Sequence, residues 1–332
     1  MDYPELTADQ RRQRIDAKHA FEAWRAAAQE FRHSFRGTMH WREVAGREYL
    51  SRKYGNVWEQ IGLRSPQTEQ IKASYADRRA AIRSRLTKLD KQLDAMRKLN
   101  RAMDLGRVPD VAARVLMKLD DQGLLGSHVH VVGTHALYAY EARTGVLLGG
   151  PLTATKDIDF LWDARRRFTF LMQDFVARGV VELLQQVDGS FRKLRSYNAA
   201  NADAYMVDLI RPEAKNEAFR ANPKMSRAAD DLEPAPVKGL EWLVNAPKFE
   251  EIAIGAGGRP LRIVTVDPRA FALHKLWLSK LPERGEAARR DGIQALTAAR
   301  LATQYMGLRF DKRELSALPG ELLAGIPELM SE

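Results

Sequence analysis

Lys156-Asp157-Ile158-Asp159-Phe160-Leu161-Trp162 opens with acidic and apolar residues in strict alternation. On a strand, side chains two apart share a face, so Asp157 and Asp159 point one way while Ile158 and Phe160 point into a core. Two carboxylates so placed are roughly 6 to 7 Å apart at their backbones. Like charges at that spacing repel by about 2 to 3 kcal/mol at an effective dielectric of 20. A chain with only a fold to maintain has little reason to keep such a pair. Asp-x-Asp alone is still ambiguous, because a solvent-facing strand edge carries the same pair as a solubility device.

The neighbouring segments narrow the reading. Upstream, His130-Val131-Val132-Gly133-Thr134-His135-Ala136-Leu137 reads as a strand followed by a Gly-Thr turn that opens a helix. Free backbone N–H groups and the helix dipole at such a turn favour a phosphate. Downstream, Tyr205-Met206-Val207-Asp208-Leu209-Ile210 places one aspartate within an apolar strand. A carboxylate isolated there is costly unless a cation or a donor meets it. Each piece has an ordinary alternative, a plain helix start for Gly133-Thr134 or an arginine salt bridge for Asp208. The order strand-Gly-Thr-helix, Asp-x-Asp strand, apolar-Asp-apolar strand is more specific than any one of them.

Further outward the pattern alternates. A helix is expected from Val111 to Leu125, a strand from His128 to Val132 and a helix from Thr134 to about Arg143. Asp157 to Trp162 is a strand, Arg165 to Arg178 a helix, and Val180 to Val187 and Phe191 to Ser196 are strands about the turn Asp188-Gly189. Strands follow at Ala204 to Ile210, Glu250 to Ile254 and Leu261 to Val266. From Asp267, an N-cap with Pro268 at the first helical position, the pattern is helical to the end. Before this core lie two helical runs, Thr7 to Gly37 and Pro66 to Asp104, the second with a three-four apolar repeat and basic residues on its other faces. The expectation is an α+β fold: a mixed β-sheet core over residues 106–266, flanked by a basic helical region at 1–105 and a C-terminal helical region at 267–332.

Composition limits the chemistry. Cysteine is absent from the 332 residues, so a metal must be held by oxygen or imidazole, which favours hard ions such as magnesium or manganese. The net charge is +10, and about eight of those charges fall within residues 1–105. A basic region beside a nearly neutral body suits an acidic partner, RNA or DNA above all, although a solvated helical surface would look the same. The charged start lacks a signal-peptide core and no stretch has the length of a membrane span, so no membrane partner is expected and the chain reads as cytoplasmic. His128, His130 and His135 are expected to pack or hydrogen-bond rather than ligate. Trp24, Trp41, Tyr49, Tyr54 and Trp58 offer surfaces for stacking bases, but at helical spacing such residues more often fill a core.

The ordered set resembles the DNA polymerase β-like nucleotidyltransferase superfamily, whose members carry a Gly-Ser or Gly-Gly turn, an Asp-x-Asp or Asp-x-Glu strand and a third carboxylate on a later strand. Thr134 stands where many members have serine and keeps the hydroxyl. The arginine often found ahead of the Asp-x-Asp strand is matched here by Thr153 or Leu152. Within the superfamily the chain is most similar to bacterial nucleotidyltransferases of the abortive-infection toxin type, through Gly133-Thr134-His135-Ala136-Leu137, Thr155-Lys156-Asp157-Ile158-Asp159-Phe160, and Lys275 followed by Arg290-Asp291. The resemblance implies magnesium or manganese on Asp157, Asp159 and Asp208, and an NTP such as ATP held over Gly133 and Thr134. It also implies a triphosphate contact from Lys275, with Asp291 orienting that lysine or holding the base. Transfer of an NMP to an RNA acceptor, a tRNA 3′ end for instance, is the implied activity, with a cognate antitoxin as a partner if the protein is a toxin. Alternatives are nucleotidylation of a protein hydroxyl and a non-catalytic nucleic-acid-binding member of the fold.

Overall fold

The structure, a computed structural model, describes residues 3–55, 57–163, 165, 173–213 and 226–331. Its contacts divide into two compact units, one of residues 12–104 with 258–260 and one of the remainder. The smaller unit holds helix α1 (Ala8–Ser34) from Arg12 onward, strands β1 (Thr38–Val44), β2 (Arg47–Tyr54) and β3 (Val57–Leu63), and the long helix α2 (Pro66–Ala102). A helical region was expected throughout, yet Thr38 to Leu63 forms an antiparallel three-stranded sheet in the order β1-β2-β3. Val44 pairs with Arg47, leaving a two-residue loop in which Ala45 and Gly46 both have positive φ. That is the turn whose twist matches a right-handed hairpin, and here it outweighs the helical tendency of the flanking segments. Trp41, Tyr49, Tyr54 and Trp58 therefore sit on strands, not at helical spacing. Helix α2 starts at a capping box in which Ser65 and Thr68 bond reciprocally, with Pro66 at the first helical position. It buries Ile82 with Ala27 and Phe35 of the neighbouring segment.

The larger unit is α+β. Helix α3 (Asp110–Asp121) precedes β4 (Val129–Val132), a 3-10 turn at Gly133–Ala136 and α4 (Leu137–Thr144). The short α5 (Gly150–Thr153) leads into β5 (Asp157–Trp162), and α6 (Gln173–Val187) is followed by β6 (Arg192–Arg195), β7 (Asn198–Ala200), β8 (Met206–Pro212) and β9 (Ala235–Val237). These strands make a mixed sheet in the order β4-β5-β8-β7-β6, with β9 pairing to β8. Only β5–β8 and β8–β9 are parallel. Helix α7 (Leu240–Asn245) and a separate ribbon of β10 (Lys248–Ile254) and β11 (Pro260–Val266) come next. Helices α8 (Pro268–Ser279), α9 (Ala287–Arg300), α10 (Gly320–Leu323) and α11 (Ile326–Met330) complete the chain. Asp267 caps α8 by accepting from the Arg269 backbone N–H at 2.8 Å. The first described residues belong to this unit, since the Pro4 carbonyl accepts from Leu147 and the Gly145 carbonyl from Leu6. Among the described residues no helix is long and apolar enough to cross a membrane.

Of the expected helix at 165–178, residues 166–172 lie outside the described residues, and the part from Gln173 is helical. The expected strand at Val180 to Val187 is a correction, for this stretch is helical. Its β-branched residues suggest a strand, but Val180, Leu183 and Leu184 follow the three-four period and are all buried. Helix α6 breaks at Gly179, which has φ +86, and tertiary structure starts its second segment: the Asp231 carboxylate, about 50 residues further on, accepts from the Val180 and Val181 N–H groups at 2.8 and 3.0 Å. Ser226 donates to its other oxygen. Replacement Asp231→Ala removes the partner of two helix-start donors and should cost on the order of 1 to 2 kcal/mol. Urea titration of wild type and variant measures it, and an unchanged midpoint would show that the cap contributes nothing.

Candidate active site

Register places the acidic residues. On the antiparallel side Val132 is opposite Asp159, and on the parallel side Asp159 is opposite Asp208. Paired positions on adjacent strands share a face, and Asp157 shares that of Asp159 by alternation, so all three carboxylates lie on one face of the sheet. The opposite face is apolar, with Ile158, Phe160, Val207 and Leu209 buried in the main core. The sheet thus fixes the charges by anchoring the residues between them.

The Gly133 turn lies against Asp159. Gly133 has φ +65, and a Cβ built on it would run into the Asp159 carboxylate. Both facts exclude a side chain there. Thr134 follows, and its Oγ1 accepts from Arg290 Nη2 at 3.1 Å and from Gln294 Nε2 at 3.2 Å. A hydroxyl with both bonds received keeps its proton to donate, which suits an anion over the turn. The same Arg290 nitrogen donates to the Ala154 carbonyl at 2.8 Å, and the Gln294 amide to the Leu152 carbonyl at 3.0 Å. Helix α9 therefore ties the Gly-Thr turn to the segment that enters β5.

Lys275 on α8 and Asp291 on α9 meet in a buried ion pair, Nζ to Oδ1 at 2.7 Å. Arg284 grips the other oxygen of Asp291 through Nε at 2.8 Å and Nη2 at 2.7 Å. Burial pulls the Lys275 ammonium below its ordinary value, while Asp291 and, further off, Asp159 hold the charge on it. Asp159 shows the reverse balance. Burial, followed by the charges of Asp157 and Asp208, pushes its carboxyl up to about 7, with Lys275 and Arg284 acting against that rise. Asp208 is raised too, chiefly by burial, and its neighbour Asn198 pulls the other way.

A divalent cation suits these residues on two grounds. All the donors are carboxylate oxygens, the set that hard ions take. Among the described residues no hydrogen-bond donor meets the Oδ1 of Asp208, which is closed to solvent, so an acceptor there lacks its complement. As they stand, the carboxylates are neighbours without converging: among the described residues no three acidic or histidine side chains are close enough to clasp one ion together. The Thr155 hydroxyl donates to Asp157 Oδ1, so that oxygen is already partnered.

The histidines are packed. His135 lies edge-on to Tyr138 and Tyr205 and shares a 2.9 Å hydrogen bond with the Tyr205 hydroxyl. Burial drives the imidazoles of His135 and His130 down to about 4, so both are neutral near pH 7. His128 bonds to Ser127 through Nδ1. Two residues of the constellation, Arg284 and Gln294, escaped the sequence reading, as did the bonding role of Arg290. Asp291 and Gln294, polar and three apart on an otherwise alanine-rich helical face, are buried, and that spacing was the available signal.

The acidic face generates a stability test. Asp159 binds its proton more tightly folded than unfolded, so in chelator the wild type should lose stability as pH rises from about 4 to about 7. Asp159→Asn has no such proton and should be at least as stable as wild type at pH 7, with the gap closing towards pH 4. Added magnesium and NTP should reverse the order, because a ligand of the folded state stabilises it. Melting temperatures under both conditions decide it. A loss on the order of 3 kcal/mol in chelator would mark Asp159 as a structural partner of an arginine or lysine instead.

A family model described as Nucleotidyltransferase matches residues 110–319, the span that carries the Gly133 turn, all three carboxylates and the Lys275–Asp291 pair. No curated protein and no solved structure matches the chain. With most of the chain covered by that match, and the site residues within it, the protein belongs to the nucleotidyltransferase family.

Proposed function

We propose that the protein transfers a nucleoside monophosphate from an NTP to a hydroxyl of an RNA acceptor, with a tRNA 3′ end as the leading case, and that a divalent cation, magnesium or manganese, serves the reaction. The observation that carries the reading is the register of Asp159 with Asp208 on adjacent parallel strands beside the side-chain-free Gly133 turn. Asp157, Asp159 and Asp208 would hold the metal. Bound there, it would neutralise charge on the phosphates and make the acceptor hydroxyl more acidic.

The protein's own groups supply the rest. The free backbone at Gly133 and the Thr134 hydroxyl receive triphosphate oxygens, and the Arg290 and Gln294 donors keep that hydroxyl aimed outward. Lys275, held by Asp291, places a cation near the carboxylates where a triphosphate would add negative charge. The new bond joins the acceptor oxygen to the α-phosphorus. The bond broken is that to the β-phosphate oxygen, and pyrophosphate leaves. The acceptor proton passes to the oxygen of Asp208 that the cation would leave free. Such transfer needs positioning and charge more than covalent help, which matches a site made of a turn, carboxylates and fixed cations.

The RNA acceptor is supported by the excess positive charge within residues 1–105. A toxin or defence role, with an antitoxin as partner, is supported by the motif likeness alone, and growth arrest on expression, relieved by Asp159→Asn, would be its sign. The central test incubates the protein with each labelled NTP, total RNA and cell extract, with and without chelator. Label should enter nuclease-sensitive material and require magnesium or manganese, and Asp208→Asn should reduce it by more than about a hundredfold. Nuclease-resistant label on a protein band would give the acceptor role to a protein hydroxyl, and no label at all would leave a nucleic-acid-binding member of the fold.

A further inference from the structure

The sheet of the smaller unit separates its charges by face. Cross-strand partners share a face, and register puts Thr38, His40 and Arg42 of β1 with Tyr49 and Lys53 of β2 and Trp58 of β3. Every glutamate of the three strands, Glu43, Glu48 and Glu59, falls on the other face, where Leu50 is buried and Gly62 packs against Thr68 of α2. The first face thus carries cations and aromatic rings with no acid among them. Its centrepiece is Trp58, 39% exposed, with the Arg42 guanidinium 4.5 Å and the Lys53 ammonium 5.3 Å from its ring and the His40 ring edge-on at 6.0 Å. Neither Arg42 nor Lys53 is in an ion pair with a carboxylate among the described residues.

A second feature adjoins this face. Between the β1 edge and α2 lies an open groove of about 480 Å³ whose charged lining, Lys72, Arg79 and Arg83, is wholly basic. Thr38 belongs to both features: it lines the groove, and its Oγ1 is 2.6 Å from Nε2 of the His40 that meets Trp58. In the sheet Thr38, Lys53 and Trp58 form one cross-strand row. The groove is on the α2 side, where Lys72 lies over Trp41, and it meets the Trp58 face at Thr38 on the β1 edge, so a flexible strand reaches from one to the other around that edge.

We propose that this surface is a binding platform for single-stranded RNA, with phosphates along the Lys72–Arg79–Arg83 groove and a base stacked at Trp58. The charge complement is a polyanion, and the exposed indole adds a flat apolar surface that bases use and acidic peptides do not. A duplex hides its base faces and gains only the electrostatic part. A base arriving over Trp58 takes the place of the Arg42 guanidinium or stacks on its outer plane, and in both cases the cation is left facing the adjoining phosphate. The proposal rests on the RNA reading of the function and assigns that reading a surface.

Anisotropy of a labelled oligouridylate of about 12 nucleotides, with full-length protein and no NTP, tests it. An RNA duplex of the same length and polyglutamate serve as competitors. Wild type should prefer the single strand over both. Trp58→Ala should weaken binding about five- to hundredfold, and Trp58→Phe should restore most of it. Arg42→Gln should weaken binding and flatten its salt dependence, which Trp58→Phe should leave as in wild type. Both positions are exposed, so unchanged melting temperatures are expected. Wild-type affinity in Trp58→Ala, or equal competition by polyglutamate, would reduce the surface to a non-specific basic patch and overturn the platform. The platform and the acceptor fail separately: label entering RNA with Trp58→Ala still binding normally removes only the platform. Label entering protein while Trp58→Ala loses oligouridylate removes only the RNA acceptor.

Discussion

Asp159 and Asp208 stand side by side on parallel strands because β5 and β8 pair in one register, and the site is built around that enforced repulsion. A one-residue slip would send the carboxylates to the apolar face and bring Ile158 and Phe160 to the cleft. The burial of Ile158, Phe160, Val207 and Leu209 prevents such a slip, so the hydrophobic core holds two like charges together against their own field. Burial, with the charges of neighbouring carboxylates behind it, raises the Asp159 and Asp208 carboxyls on that face.

The C-terminal helices complete the arrangement from the other side. Asp291 fastens Lys275 and Arg284, while Arg290 and Gln294, on the same helix, hold Thr134 and the approach to β5. One helix therefore positions both the cations and the turn. Asp291 and Gln294 are buried, Arg290 is half-buried, and each bonds to a neighbouring segment, so the fold itself sets where the cations and the turn lie.

Much of this could be read from the chain. The alternation at Asp157 to Trp162 gave the strand and its acidic face, and the strand-Gly-Thr-helix order gave the turn, because both depend on local period and backbone freedom. Lys275 and Asp291 came through the family resemblance, since a lysine beside leucine and tryptophan carries no local mark of its role. The sheet at Thr38 to Leu63 was missed because its decisive signal is a two-residue Ala-Gly hairpin between two helical runs. Val180 to Val187 misled through β-branched composition, and its helix depends on a cap from Asp231 that no local window contains. Arg284 is likewise invisible locally, for its partner is chosen by how the helices pack.

The parallel pairing of β5 with β8 also has a consequence in time. Asp159 and Asp208 are about fifty positions apart in the chain, and a parallel pair cannot be closed by a hairpin. The loop must close before the contact returns any stabilisation, and such long-range pairings are slow to form. Here the closing step also drives carboxylates together. The acidic face is thus the part of the sheet whose assembly is both entropically and electrostatically opposed, so its closure should quicken as pH falls and the carboxyls take up protons.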